Sequence, residues 1–194
     1  MFIEIRRVIV MPTWAWIVIG VVAFVILWII GAYNGLVRLR NRVRDQWAQI
    51  DVQLKRRFDL IPNLVETVKG YTKHESETLE NVVKARNTYL SATTPEAQME
   101  ANGELTQAIS KLFALTEAYP DLKANSNFMQ MQTDLKETEE KIAYARQFYN
   151  DTVLQYNNKV EVIPTNIIAG IFGFKKAAFF EAAEAERENV QVKF

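Results

Sequence analysis

From Val8 to Val37 the chain carries no charged residue, and no other feature restricts its possible folds as strongly. The centre of the stretch, Trp14 to Ile30, is apolar apart from one glycine. With its flank to Tyr33 it is about 20 residues long, enough for a helix to cross a hydrocarbon core of roughly 30 Å. Trp14 and Trp16 stand at one end, Trp28 and Tyr33 near the other, as the aromatic belts of a bilayer require. A cleaved signal peptide would explain Arg6 and Arg7 ahead of an apolar run, but this run exceeds the usual length of about 7–15 residues and no small-x-small site follows it. A buried core helix would not stay free of charge for so long. The expectation is an uncleaved transmembrane helix over residues 13–33, preceded by a short extracytoplasmic tail over 1–12.

Orientation follows from the basic flanks. Arg6 and Arg7 lie on the N-side, and Arg38, Arg40, Arg42 and Arg44 on the C-side. The excess predicts the N-terminus outside and the rest of the chain in the cytoplasm. The four arginines also suit anionic headgroups, at about 1 kcal/mol per charge close to the surface. Lys55, Arg56 and Arg57 form a second basic group. On a straight helix Lys55 stands about 37 Å beyond Ile30, several Debye lengths away. This group is expected to pair with acidic residues of neighbouring helices or of another subunit.

Beyond the anchor, residues 34–57 carry seven Lys/Arg against two Asp, while residues 58–176 carry 12 basic and 16 acidic side chains. The whole chain balances at 23 and 23, which argues against a nucleic-acid partner. Its apolar spacing is helical. Leu36, Leu39, Val43, Trp47, Ile50, Leu54, Phe58 and Ile61 are three or four residues apart, and Val65, Val68, Leu79, Val82 and Leu90 continue a looser stripe. Leu105, Ile109, Leu112, Thr116 and Tyr119 form another, and Phe128, Met131, Leu135, Thr138, Ile142, Ala145, Tyr149, Thr152 and Tyr156 the longest. Thr94-Pro95-Glu96 predicts a helix start. Pro120 predicts a break with Asn125 as a following cap, and Pro164 an end; Pro62 either kinks a helix or begins one. No alternating β-branched run predicts a strand. The fold class is all-α: one N-terminal transmembrane helix and an elongated antiparallel helical bundle over 34–174, with a C-terminal helix and tail over 175–194.

The segment Val162 to Phe180 fits a simple bundle poorly. Ile167, Ile168, Ile171, Phe172, Phe174, Phe179 and Phe180 make it apolar, but Pro164, Gly170 and Gly173 break it. It is too short to span a bilayer. It either folds back as core, contacts another subunit, or wedges into the membrane surface. A polar-faced helix is expected from Ala177 to Val190.

Chemistry is hard to place on this chain. It has no cysteine and one histidine, His74. His74-Glu75 lacks the second histidine of a zinc-protease helix, since position 78 is Thr. Glu137, Glu139 and Glu140 suit a solvated face, with no Glu-x-x-His partner for a di-metal site. Phosphate loops and nucleophile elbows are absent. No catalytic residue, metal or cofactor is expected.

Several long strings resemble the LemA family of bacterial membrane-anchored proteins. They are Tyr33-Asn-Gly-Leu-Val37, Gln49-Ile-Asp-Val-Gln-Leu-Lys-Arg-Arg57 and Asp59 to Tyr71, then Leu112 to Asn125, Ala143 to Asn150 and Pro164 to Gly170. The resemblance runs from about Tyr33 to Phe194. It implies a short outside N-terminus, one membrane helix and a cytoplasmic helical bundle, and it implies no catalytic residue. The functional expectation is a non-enzymatic scaffold that self-assembles on the bilayer as a homo-oligomer and organises or remodels it. The competing expectation is an adaptor for another membrane protein, such as a protease or sensor.

Overall fold

The computed structural model describes residues 12–72 and 75–180. The tail expected before the anchor, His74, and the expected helix beyond residue 180 lie outside the described residues. Among the described residues there are six helices and no strand. They are α1 (Thr13–Lys69), α2 (Ser76–Ser91), α3 (Pro95–Thr116), α4 (Pro120–Lys123), α5 (Ser126–Glu161) and α6 (Thr165–Ile171).

α1 is a single helix of 57 residues, about 85 Å long at 1.5 Å per residue. α1 continues unbroken through residues 33 and 34. The apolar N-terminal stretch of α1 runs into the bundle without a linker, because nothing between Ile30 and Leu36 interrupts helical bonding. Pro62 lies within α1 and does not begin a new helix.

α5 packs antiparallel along α1, with Arg57 opposite Glu139 and Trp47 opposite Tyr149. The α2–α3 hairpin covers only the far half of α1, where Tyr89 meets Asp51 and stacks on Phe58, ring centres 3.8 Å apart. The bundle therefore has two storeys. The distal one is a four-helix bundle. The one nearest the anchor consists of α1, α5, α6 and an extended segment over 174–180.

The core follows the apolar spacing. Leu36, Val43, Ile50, Leu54, Phe58 and Ile61 of α1 are buried, as are Phe128, Leu135, Ile142, Tyr149 and Tyr156 of α5. Each large apolar side chain so buried contributes about 1.5–3 kcal/mol. One expected member is wrong: Leu90 is exposed and Tyr89 is buried in its place. Tyr89 stands seven residues after Val82 and holds the heptad position; Leu90 is one residue past it.

Helix ends are set by their caps. Thr94 Oγ1 accepts from Ala97 N with Pro95 following, and Asn125 Oδ1 accepts from Phe128 N. After α6 the chain reverses through Gly173 at φ +68°, with Phe174 N donating to Ala169 O at 2.9 Å. This is a glycine-dependent helix stop. It sends the chain back between α1 and α5 as extended backbone. The helix expected from Ala177 is thus absent through Phe180.

Candidate functional site

The anchor supplies the first candidate surface. No residue from Thr13 to Gly31 is buried, and α1 contains a window of mean hydropathy 2.7, long and apolar enough to cross a membrane. Trp14 and Trp16 are exposed at its start, and Trp28 is 37% exposed at its end. Tyr33 instead packs on the chain's own C-terminal segment, its ring centre 4.8 Å from Phe172 and 5.7 Å from Phe174.

Of the four juxtamembrane arginines, Arg38, Arg42 and Arg44 are exposed. Arg40 is half-buried, its guanidinium 4.9 Å from the centre of the Phe174 ring, a cation–π contact.

Lys55, Arg56 and Arg57 do not act as one group. Lys55 and Arg56 face solvent, whereas Arg57 is 3% exposed. Its Nη1 donates to Asn102 Oδ1 at 3.0 Å and Thr106 Oγ1 at 3.1 Å, and pairs with Glu139 Oε2 at 2.8 Å. One guanidinium thus joins α1, α3 and α5. A helix places consecutive residues about 100° apart, so three cations in a row cannot all share one face.

The segment 162–180 divides in the same way. Ile168, Phe174 and Phe180 are buried in the core. Ile167, Ile171, Phe172 and Phe179 are exposed. Phe180 lies against Trp47, 6.1 Å between ring centres, with the Arg146 guanidinium 5.5 Å from its own.

Four α5 side chains hold the extended segment. Asn157 Nδ2 donates to Ala177 O and its Oδ1 accepts from Ala177 N, both at 2.9 Å. Asn150 treats Phe180 identically, at 3.0 and 2.8 Å. Tyr149 Oη donates to Ala178 O at 2.9 Å and Tyr156 Oη to Lys175 O at 2.8 Å. Seven helical residues rise about 10.5 Å, and three extended residues span about 10 Å. A Tyr-Asn pair repeated at 149–150 and 156–157 therefore matches every third residue of the segment. Sequence reasoning missed this clasp, although its signal, two identical dipeptides one heptad apart, was present.

Burial holds the Tyr149 phenol neutral, with its pKa raised to about 12, and the negative charge of Glu96 adds to the effect. Burial raises Tyr156 too, against the lowering influence of Arg40 and Arg44. Tyr89 is raised by burial and by its hydrogen bond to Asp51. These phenols are structural donors.

A surface groove of about 1080 Å³ runs between the end of α1 and α2, lined by Val65, Leu79 and Val83 together with Lys69, Glu80 and Lys84. Among the described residues no group of three Asp, Glu or His could hold a metal ion.

The LemA family model matches residues 46–194. Protein LemA of Metamycoplasma hominis is 28% identical, over 89% of this chain and 78% of the relative. Magnetosome protein MamQ 2 of Paramagnetospirillum magneticum is 26% identical, and magnetosome protein MamQ of Magnetospirillum gryphiswaldense 23%. Each of these two covers 87% of this chain and 71% of the relative. These relatives and the apolar helix are consistent with membrane anchoring.

Proposed function

We propose, from the premise that this chain belongs to the LemA family, that it is a non-enzymatic scaffold fixed in the bacterial inner membrane. It assembles with further copies of itself on the cytoplasmic side and organises the bilayer beneath it. One observation carries the reading: anchor and bundle share the uninterrupted helix α1. A bundle on a flexible linker samples all orientations, whereas a bundle continuous with its anchor meets its neighbours at one angle. Copies in one membrane then present the same faces at the same height. The magnetosome relatives, proteins named for a cellular compartment, support a role in membrane organisation.

An exposed stripe on α5 supplies the contact between copies. Tyr144 is 66% exposed and Phe148 61%, one helical turn apart on the same face. The membrane places such aromatics on many copies in one plane, where modest affinity suffices. The exposed Arg38, Arg42 and Arg44 beside the apolar span support a cytoplasmic position for the bundle.

The test is the mass of the full-length protein after extraction in detergent and after reconstitution in lipid, measured across concentrations. Assemblies larger than a dimer are expected, and Tyr144→Glu with Phe148→Glu should reduce them without unfolding the bundle. A strict monomer or dimer under all conditions overturns the reading. A second reading, an adaptor for another membrane protein, rests on the groove between α1 and α2. Cross-linking from Val83→Cys in native membranes should then recover one dominant foreign partner, and recovery of self-adducts alone would sink it.

A further inference from the structure

The turn between α5 and α6 reaches back to the anchor. Val162, Ile163 and Pro164, with Asn158 and Lys159 of α5, border a cleft whose opposite wall is Trp28. Counted from Trp14 along a helix rising 1.5 Å per residue, a hydrocarbon core of roughly 30 Å ends at about Asn34. Trp28 then stands about 9 Å inside that boundary. The turn opposite it occupies the same depth.

The side chains that the turn presents are apolar. Ile163 is 75% exposed and Ile171 70%, and Val162, Ile167 and Phe172 are exposed beside them. None is needed by the core, which takes Ile168 and Ala169 from the same helix. The patch continues the apolar surface of the anchor through the Tyr33–Phe172 ring contact. Cations border it: Lys159 is exposed, and Lys176 pairs with Glu161, the one acid at the turn. Apolar side chains below and lysines above are the arrangement that suits the headgroup–acyl boundary. Monomeric proteins in water seldom keep a contiguous apolar patch of this kind uncovered.

We infer that the α5–α6 turn is a second membrane contact, with Ile163, Ile167, Ile171 and Phe172 inserted beside the anchor into the leaflet facing the bundle. This rests on the anchor reading of α1. The insertion locks the bundle against rotation about its single span. It also adds cross-section to one leaflet only, and that asymmetry favours curvature.

The chain has no cysteine, so one introduced cysteine gives one labelled site. Ile163→Cys, Ile171→Cys, Val21→Cys and Glu137→Cys are each spin-labelled in the full-length protein. They are reconstituted in vesicles of phosphatidylcholine and phosphatidylglycerol. Collision with oxygen, which partitions into lipid, is compared with collision with a water-soluble nickel chelate. The labels at 163 and 171 should favour oxygen severalfold over the label at 137, at a depth of about 5–10 Å. If both behave like the label at 137 while the label at 21 lies deep in lipid, the wedge is overturned and the anchor stands. If they are shielded from both reagents, a second copy covers the patch and the wedge is overturned. A water-exposed label at 21 overturns the anchor, and the wedge with it.

Discussion

Arg86 Nε donates to the main-chain oxygen of Phe58 at 3.2 Å, across the α1–α2 contact. That carbonyl would ordinarily receive the N–H of the residue four positions on, which is Pro62 and has none. A side chain of α2 therefore completes a hydrogen bond that α1 cannot make for itself.

The two residues should be energetically coupled. Arg86→Ala leaves a partly buried carbonyl without a donor, at a cost of about 1–2 kcal/mol. In a Pro62→Ala background the alanine N–H restores the helical bond, and the same truncation should cost under about 0.5 kcal/mol. A double-mutant cycle by denaturant unfolding in detergent measures the difference. Strict additivity would show that Arg86 serves some other contact.

Arg57 joins three helices from an interior position. Arg57→Ala strands Asn102, Thr106 and the partly solvated Glu139 together, and the expected loss is about 2–3 kcal/mol. Arg57→Met keeps the volume and should cost less. Glu139 is partly solvated, so Glu139→Gln should be milder than Arg57→Ala. Thermal unfolding of the three variants gives the order, and an equal or larger loss for Glu139→Gln would contradict it.

The Tyr-Asn clasp should open locally. Asn157→Ala removes two hydrogen bonds to Ala177, and Asn150→Ala two to Phe180, at about 1 kcal/mol per bond. Amide hydrogen exchange should accelerate at Ala177 or Phe180 in the respective variant. The distal four-helix storey should keep its protection. Unchanged exchange at both amides would rule the clasp out as what holds this segment.

Alkali should weaken the fold through Tyr149. Its pKa is about 12 in the folded protein against about 10 in the unfolded chain. Its contribution is complete below pH 10 and is lost as pH rises from 10 to 12, on the order of 2–3 kcal/mol. Tyr149→Phe should therefore lose about 1 kcal/mol at neutral pH but show a flatter decline in alkali. Urea midpoints at a series of pH values compare the two, and an equally steep decline in the variant would exclude Tyr149 as the titrating group.

The long apolar helix, the helical class and most of the packing stripes were legible in the sequence because each depends on a local run or period. Val82 shows the limit: the stripe continues to Tyr89, and only packing against Phe58 and Asp51 separates that tyrosine from its neighbour Leu90. The basic triplet shows another. Composition groups Lys55, Arg56 and Arg57, while helical rotation sends one inward and two outward.

The apolar C-terminal segment was visible as an anomaly, and its three readings could not be separated by spacing. Gly173 turns the chain, Phe174 and Phe180 enter the groove between α1 and α5, and Ile163 and Ile171 are left outside, Ile163 beside Trp28.

What the sequence alone determined was every property set within one turn of helix or one run of composition: the chargeless span, the period of the stripes, the caps at Thr94 and Asn125. What only the tertiary structure decided was which elements meet. The clasp of Asn150 and Asn157 on a segment 20 to 30 residues away, the rescue of the Phe58 carbonyl by Arg86, and the return of α5 to the level of Trp28 all join distant residues. Such contacts follow from the antiparallel course of α5 along α1, which no local pattern encodes.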